Sequence, residues 1–117
     1  MIQLNGTTLS ALRAFGLKFQ VTANNIANVN TDGFKKSRAD LKDNHPAGVE
    51  ATITRIDTPG FLKPAEYGSS EIRESSNVDL EEELVGLIGT ARAYQANIKA
   101  LKREEETTGS VLDLIAR

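Results

Sequence analysis

Apolar positions follow a helical rhythm at both ends of the chain and lose it in the middle. From about Leu9 to Asn28, the residues Leu9, Leu12, Gly16, Phe19, Ala23 and Ile26 are spaced 3, 4, 3, 4, 3. That spacing predicts a helix with one seam facing a partner helix. Thr7 or Thr8 is the expected cap, just after the turn-forming pair Asn5-Gly6. The second segment is longer: Leu80, Leu84, Leu87, Ala91, Tyr94, Ile98, Leu101, Glu105, Thr108, Leu112 and Ile115 step 4 and 3 without interruption. Asp79 is its expected N-cap, with Glu82 completing a capping box and Glu81 and Glu83 favoured by the helix dipole. Continuous to about Ala116, this helix would measure about 55 Å, with a break expected near Gly109. The fold class predicted is mainly α: N- and C-terminal helices paired as an antiparallel coiled coil, with a small β-hairpin or irregular segment between them.

The second helix carries another stripe, of small residues. Gly86, Gly89, Ala93, Ala96 and Ala100 lie roughly 150° around from the bulky seam at about 100° per residue. Two glycines in one turn each cost roughly 1 kcal/mol against alanine, so a second close-packed neighbour is expected on this side.

Between the helices, Val49, Ala51 and Ile53 alternate with Glu50, Thr52 and Thr54, the pattern of a half-buried strand. "DTPG" (Asp57 to Gly60) reads as a turn leading to a returning strand at Phe61-Leu62, and "YGSSEIRESSNV" reads as a loop, or an extended segment with Ile72 docked. The chain is therefore expected to form one domain, residues 1–117. Within it, 1–34 is the N-terminal helix segment, 35–77 the β and loop middle, and 78–117 the C-terminal helix segment.

Composition narrows the chemistry. With 117 residues there is room for one small core, and a net charge of −2 offers no basic field for nucleic acid. No cysteine is present and His45 is the one histidine, which removes thiolate chemistry and two-histidine metal sites. The first fifteen residues lack the basic and then apolar layout of a secretory signal, and no apolar run reaches the length of a membrane span. Phosphate-cradling, metalloprotease and serine-hydrolase motifs are missing. The run Glu81-Glu82-Glu83 points in three directions on a helix and reads as a helix start rather than a metal site. No cofactor, metal, small-molecule substrate or catalytic residue is predicted.

The stretch "ANNIANVNTDGF" (Ala23 to Phe34) sets amides where a helix should be ending. Asn28 to Gly33 fits a helix stop and turn, with Gly33 taking the left-handed backbone. Asn24 and Asn25 come earlier, where amides disfavour a helix, and an interface contact is expected of them.

These residues also carry a resemblance. "ANNIANVNTDGFKKSRADL" resembles the N-terminal motif of the flagellar basal-body rod and hook proteins, and "SNVDLEEELVGLIGTARAYQANIKAL" resembles their C-terminal motif. Both lie in family order at the chain ends. The resemblance implies a non-catalytic, short, rod-type subunit whose terminal helices pack together and whose copies stack into a hollow axial drive shaft. It implies residence in the periplasm-spanning rod of the basal body, with export through the flagellum's own type III apparatus and no cleaved signal peptide. Partners implied are other rod subunits and the export apparatus, with membrane-ring or hook proteins as further candidates. Expected subunit-packing residues are Asn24, Asn25, Asn28, Leu12, Phe19 and Ile26 in the first segment. In the second they are Leu84, Leu87, Tyr94, Ile98, Leu101 and Asn97, with Gly86, Gly89 and Ala93 on the small stripe facing a neighbouring subunit.

The middle is too short for the large β-rich domain of hook and distal-rod members, and Ala91 stands where many relatives have glutamine. The rod position is left open. Two rivals are a soluble coiled-coil adaptor or export chaperone of the type III system, which would bind in fixed stoichiometry, and a wall-cleaving hydrolase. The hydrolase would need a convergent carboxylate pair that the sequence lacks outside helix surfaces.

Overall fold

Residues 2–117 are described by a computed structural model; Met1, the first residue of the expected N-terminal segment, lies outside them. The elements in order are α1 (Ile2–Ala27), β1 (Ser37–Asp43), β2 (Val49–Arg55), β3 (Leu62–Pro64), β4 (Ile72–Glu74) and α2 (Leu80–Ala116). The molecule is drawn out, 81 × 25 × 15 Å with a radius of gyration of 20.8 Å. A compact domain of this size would have about 13 Å.

α2 follows the sequence expectation closely at its start. The Asp79 carboxylate accepts hydrogen bonds from the Glu81 and Glu82 backbone N–H groups at 3.0 and 3.4 Å. Glu82 does not serve the expected capping box; its carboxylate pairs with Lys36 Nζ at 3.0 Å. The 37-residue helix passes through Gly109 without a break. α1 differs more. It begins at Ile2 and runs through Asn5-Gly6, so Thr7 is inside the helix and its carbonyl accepts from Ser10 Oγ at 2.7 Å. The reason is tertiary. Thr8 is buried and donates to Glu104 Oε1 at 3.5 Å, so α2 reaches far enough to support a turn that local propensity would leave frayed.

Three contacts define the helix pairing. Thr8 meets Glu104, Phe19 meets the Tyr94 ring edge-on at a centroid distance of 6.5 Å, and Asn25 meets Glu83. Successive positions along α1 thus meet earlier positions along α2.

The middle corrects the sequence reading. The strand at 49–55 is present, but its partner is β1 upstream, in antiparallel register from Ser37↔Arg55 to Asp43↔Val49. The turn is at residues 44–48, where the Asn44 N–H donates to the Gly48 carbonyl and Gly48 takes φ 114°. β1 was illegible because SRADLKD has few β-forming side chains; what holds it is a packed face, with Ala39 buried and Leu41 half-buried. This hairpin lies along α1, where the Val49 N–H donates to Ser10 Oγ at 3.0 Å. The buried apolar residues Ala11, Ala14 and Ala39 let helix and strand approach closely.

Of the two readings of 67–78 the extended one holds for Ile72–Glu74: this is β4, which pairs with β3 from Leu62↔Glu74 to Pro64↔Ile72, although Ile72 is 67% exposed and not docked. This second hairpin is fastened at its base. The Gly33 N–H, at φ 71°, donates to the Glu74 carbonyl at 2.8 Å, and Asp32 pairs with Lys63 at 2.7 Å. The Glu74 carboxylate pairs with Lys35 and accepts from the Gly60 N–H at 2.8 Å. Gly60 sits so close to the opposite chain that a Cβ would lie 2.1 Å from the Ser75 carbonyl oxygen.

Lys35 first, and then the Gly60 N–H, hold the Glu74 carboxyl below the ordinary glutamate value of 4.5. A carboxyl whose folded pKa is lowered stabilises the fold fully above its unfolded value and loses that contribution as pH falls through the folded one. Wild type should therefore lose stability below about pH 4.5, while a Glu74→Gln variant is weaker at pH 7 and flatter over the acid range. Urea titrations at stepped pH read this directly.

Candidate functional site

The asparagine cluster divides into an ending and a joint. The ending follows local physics. Asn28 Nδ2 donates to the Asn24 carbonyl at 2.8 Å, supplying a donor to the unpaired end of α1, and Asn28 Oδ1 accepts from Thr31 Oγ1 at 3.1 Å. Gly33 then turns the chain toward β4, in the left-handed conformation expected of it.

Asn25 does something else. It is 1% exposed, and its amide pairs with the backbone of Ser37 on both sides: the Ser37 N–H donates to Oδ1 at 3.0 Å and Nδ2 donates to the Ser37 carbonyl at 2.8 Å. The side chain acts as one more rung beside β1. Nδ2 also donates to Glu83 Oε1 at 3.2 Å, which brings in α2. Within the chain, then, the donors and acceptor of the Asn25 amide are spent on Ser37 and Glu83. Asn24 is exposed beside it.

One residue upstream of Ser37, a second amide repeats the device. Asn77 Oδ1 accepts from the Lys36 N–H at 2.7 Å, and Nδ2 donates to the Ile56 and Thr58 carbonyls at 2.7 and 3.0 Å. Asn77 and Glu83 were missed from sequence. Their position flanking the Asp79 cap was the available signal, because the chain entering a helix there has to be held by something.

On α2 the face turned to α1 is not the bulky seam. Glu83, Leu87, Thr90, Tyr94, Asn97, Leu101, Glu104 and Thr108 are buried or half-buried, again at steps of 4 and 3. Leu87, Tyr94 and Leu101 belong to the expected seam; Leu84 and Ile98 do not face inward and are 44% and 45% exposed. Alternate positions of the row move back by one residue, a turn of the stripe by about 50°, and Thr90 and Asn97 stand in for Ala91 and Ile98. Thr90 and Asn97 tolerate this because each side chain donates to a carbonyl one turn back, at 2.9 and 2.8 Å. α1 shows the same offset. Thr8, Ala11, Thr22 and Asn25 are buried, whereas Leu12, Phe19 and Ile26 are half-buried and Leu9 is 44% exposed.

Two uncovered flanks result. One carries Leu80, Leu84, Ile88 and Ile98. The other carries Gly86, Gly89, Ala96 and Ala100, all exposed, with Ala93 half-buried at its margin. No atom of another element lies within 4 Å of where a Cβ would stand on Gly86 or Gly89, so the chain has room for a Cβ at both. Among the described residues, no group of three or more histidine, aspartate or glutamate side chains gathers as metal ligands would. Among the described residues, no helix is long and apolar enough to cross a membrane.

Comparison with known proteins matches the two ends of the chain. Residues 7–35 match the family described as flagella basal body rod protein, and residues 70–114 match that described as flagellar basal body rod FlgEFG protein C-terminal. A 35-residue stretch is 57% identical to the flagellar basal-body rod protein FlgG of Bacillus subtilis (strain 168). That stretch is 30% of this chain and spans 13% of the relative's length. Asn25 lies in the first matched segment, and Asn77 and Glu83 lie in the second, so the joint is where the two segments meet.

Replacing Asn25 by alanine would leave the Ser37 N–H and carbonyl buried without partners, at a cost of about 2–3 kcal/mol. Asn24→Ala, at an exposed position, should change stability by less than about 0.5 kcal/mol. Equilibrium denaturation of the two variants separates joint from surface.

Proposed function

Two family segments in family order make this chain a member of the flagellar basal-body rod family, and we propose that it is a structural, non-catalytic subunit of the rod. In this reading α1 and α2 pair as an antiparallel coiled coil, and copies associate with one another and with related subunits to build the axial drive shaft. The observation that carries the reading is an inversion of burial. The described interior is lined by alanine, threonine and asparagine, while Leu80, Leu84, Val85, Ile88 and Ile98 stand 41–71% exposed along one helix. A helix with its larger apolar side chains outside is built for neighbours. The 81 Å length suits a subunit that lies along others and touches them over several turns.

Export through the flagellum's type III apparatus, in an unfolded or partly folded state, belongs to the same proposal. A small interior with few large apolar contacts is inexpensive to unfold, which favours passage through a narrow channel. Membrane-ring and hook proteins complete the set of proposed partners. Deleting the gene and imaging basal bodies tests the reading as a whole; an intact rod and normal motility would overturn it.

The small flank of α2 is proposed to receive a neighbouring subunit. Gly86→Leu together with Gly89→Leu starts from positions where a Cβ meets no atom within 4 Å, and it raises helix propensity. The variant should keep or gain helicity by circular dichroism and fail to enter rods. Normal incorporation of the variant would reject the assignment of this face.

A further inference from the structure

Residues of an antiparallel ladder alternate between aiming their N–H and C=O at the partner strand and away from it. In the β1–β2 hairpin that alternation is fixed at both ends. The Asn44 N–H donates to the Gly48 carbonyl at 3.0 Å and the Ile56 N–H to the Lys36 carbonyl at 2.9 Å, so even-numbered residues bond across the ladder. Odd-numbered residues point outward, Ser37 to Asn25 beside β1 and Val49 to Ser10 Oγ beside β2. Ala51, Ile53 and Arg55 therefore aim three N–H groups and three carbonyls away from β1. Among the described residues, no hydrogen bond from another element reaches them.

The other strands are covered or blunted. Asn25 occupies the β1 edge at Ser37, and Ala39 is buried. β3 ends in Pro64, which has no N–H to offer, and β4 is three residues long. β2 has none of these protections. Its seven residues include no proline or lysine, and Ile53 is 50% exposed. Such an edge is a template for one more strand.

A groove continues the edge. About 340 Å³ of open space lies between Arg13, Ala14 and Leu17 of α1 and residues 49–51 of β2. Ala14 and Leu17 make its wall apolar, while Arg13 and Glu50 stand exposed on its two sides. Among the described residues, no carboxylate pairs with Arg13 and no cation with Glu50.

We propose that this edge receives an extended segment of a different protein as a third strand. About five residues of the segment bond to the backbone of Ala51, Ile53 and Arg55. Side chains turned to α1 are apolar against Leu17, with a carboxylate at Arg13; the opposite face carries a cation for Glu50. A second copy of β2 fits poorly. In the antiparallel register that uses all three free residues, its Arg55 would stand opposite Ala51, on the side of Arg13, cation against cation. The site lies apart from the α2 flanks assigned to neighbouring subunits, so it stands or falls independently of the rod reading.

The probe is a synthetic peptide of about ten residues alternating valine with threonine, with aspartate at one valine position and lysine at one threonine position. Amide hydrogen exchange of the full chain is the readout. Alone, Thr52 and Thr54 should be protected, and Ala51, Ile53 and Arg55 should exchange freely. Saturating peptide should slow these last three by about tenfold or more. Ile53→Pro removes only an outward N–H, so Thr52 and Thr54 stay protected while the peptide loses its effect on Ala51 and Arg55. Arg13→Glu should weaken peptide binding about tenfold, and a peptide with lysine in place of the aspartate should restore it. No protection in the wild type, protection that persists in Ile53→Pro, or indifference to Arg13→Glu would each overturn the proposal. Protection of the three amides by concentrated protein alone would overturn it too, by making a second copy the occupant. None of these readouts involves rod assembly, so their failure leaves the rod role standing.

Discussion

The carboxamide of Asn25 sits where α1, β1 and α2 converge, and the rest of the fold is arranged around satisfying it. A buried amide left unpaired is costly, so its place on α1 requires a strand backbone at hydrogen-bonding distance and a carboxylate beyond. Ser37 and Glu83 meet that requirement. Asn77 then fixes Lys36, so two consecutive backbone positions at the start of the first hairpin are gripped by amides from opposite ends of the sequence. Polar bonds of fixed direction set these angles more sharply than an aliphatic core this small could.

Directional bonds also explain how so few large apolar side chains need be spent inside. The α1–hairpin contact is made through Ala11, Ala14 and Ala39, and the helix pair through threonine, asparagine and the Phe19–Tyr94 edge contact. Small residues allow close approach, and hydroxyls bonded back to their own helix cost little when half-buried. Leu80, Leu84, Ile88 and Ile98 are thereby left for the outside. In a monomer that is a liability; in an assembly it supplies the apolar area that joins one chain to another.

The second hairpin extends the same logic. Its base is held by Gly33, Lys35 and Glu74; Phe61 and Leu62 beside that base, Ile72 on β4 and Tyr67 at the far turn stand exposed to solvent. The base is internally paired, and the apolar side chains around it are left exposed. Electrostatics support the base alone: Glu74, between Lys35 and the Gly60 N–H, is the group whose ionisation is tied to the hairpin's position.

Both helices, the Asp79 cap, the end of α1 at the amides and the left-handed turn at Gly33 were legible in sequence, because each depends on residues a few positions apart. The strand at Val49–Arg55 was legible too, as alternation, though its partner was not. β1 carries too little β-forming character to announce itself, and it exists because α1 gives it a surface and Asn25 a rung. Which stripe of α2 faces inward was likewise undetermined. Apolar residues cover more than one side of that helix, so periodicity alone identifies a helix without choosing its buried face. Tertiary structure made that choice through Asn25 and Glu83, which fix the helix's rotation and turn Leu84 and Ile98 outward. Local spacing therefore determined the two helices, the start of α2 and the end of α1, and long-range contacts decided the start of α1, the strand pairing, the rotation of the helices and which side chains remain for other molecules.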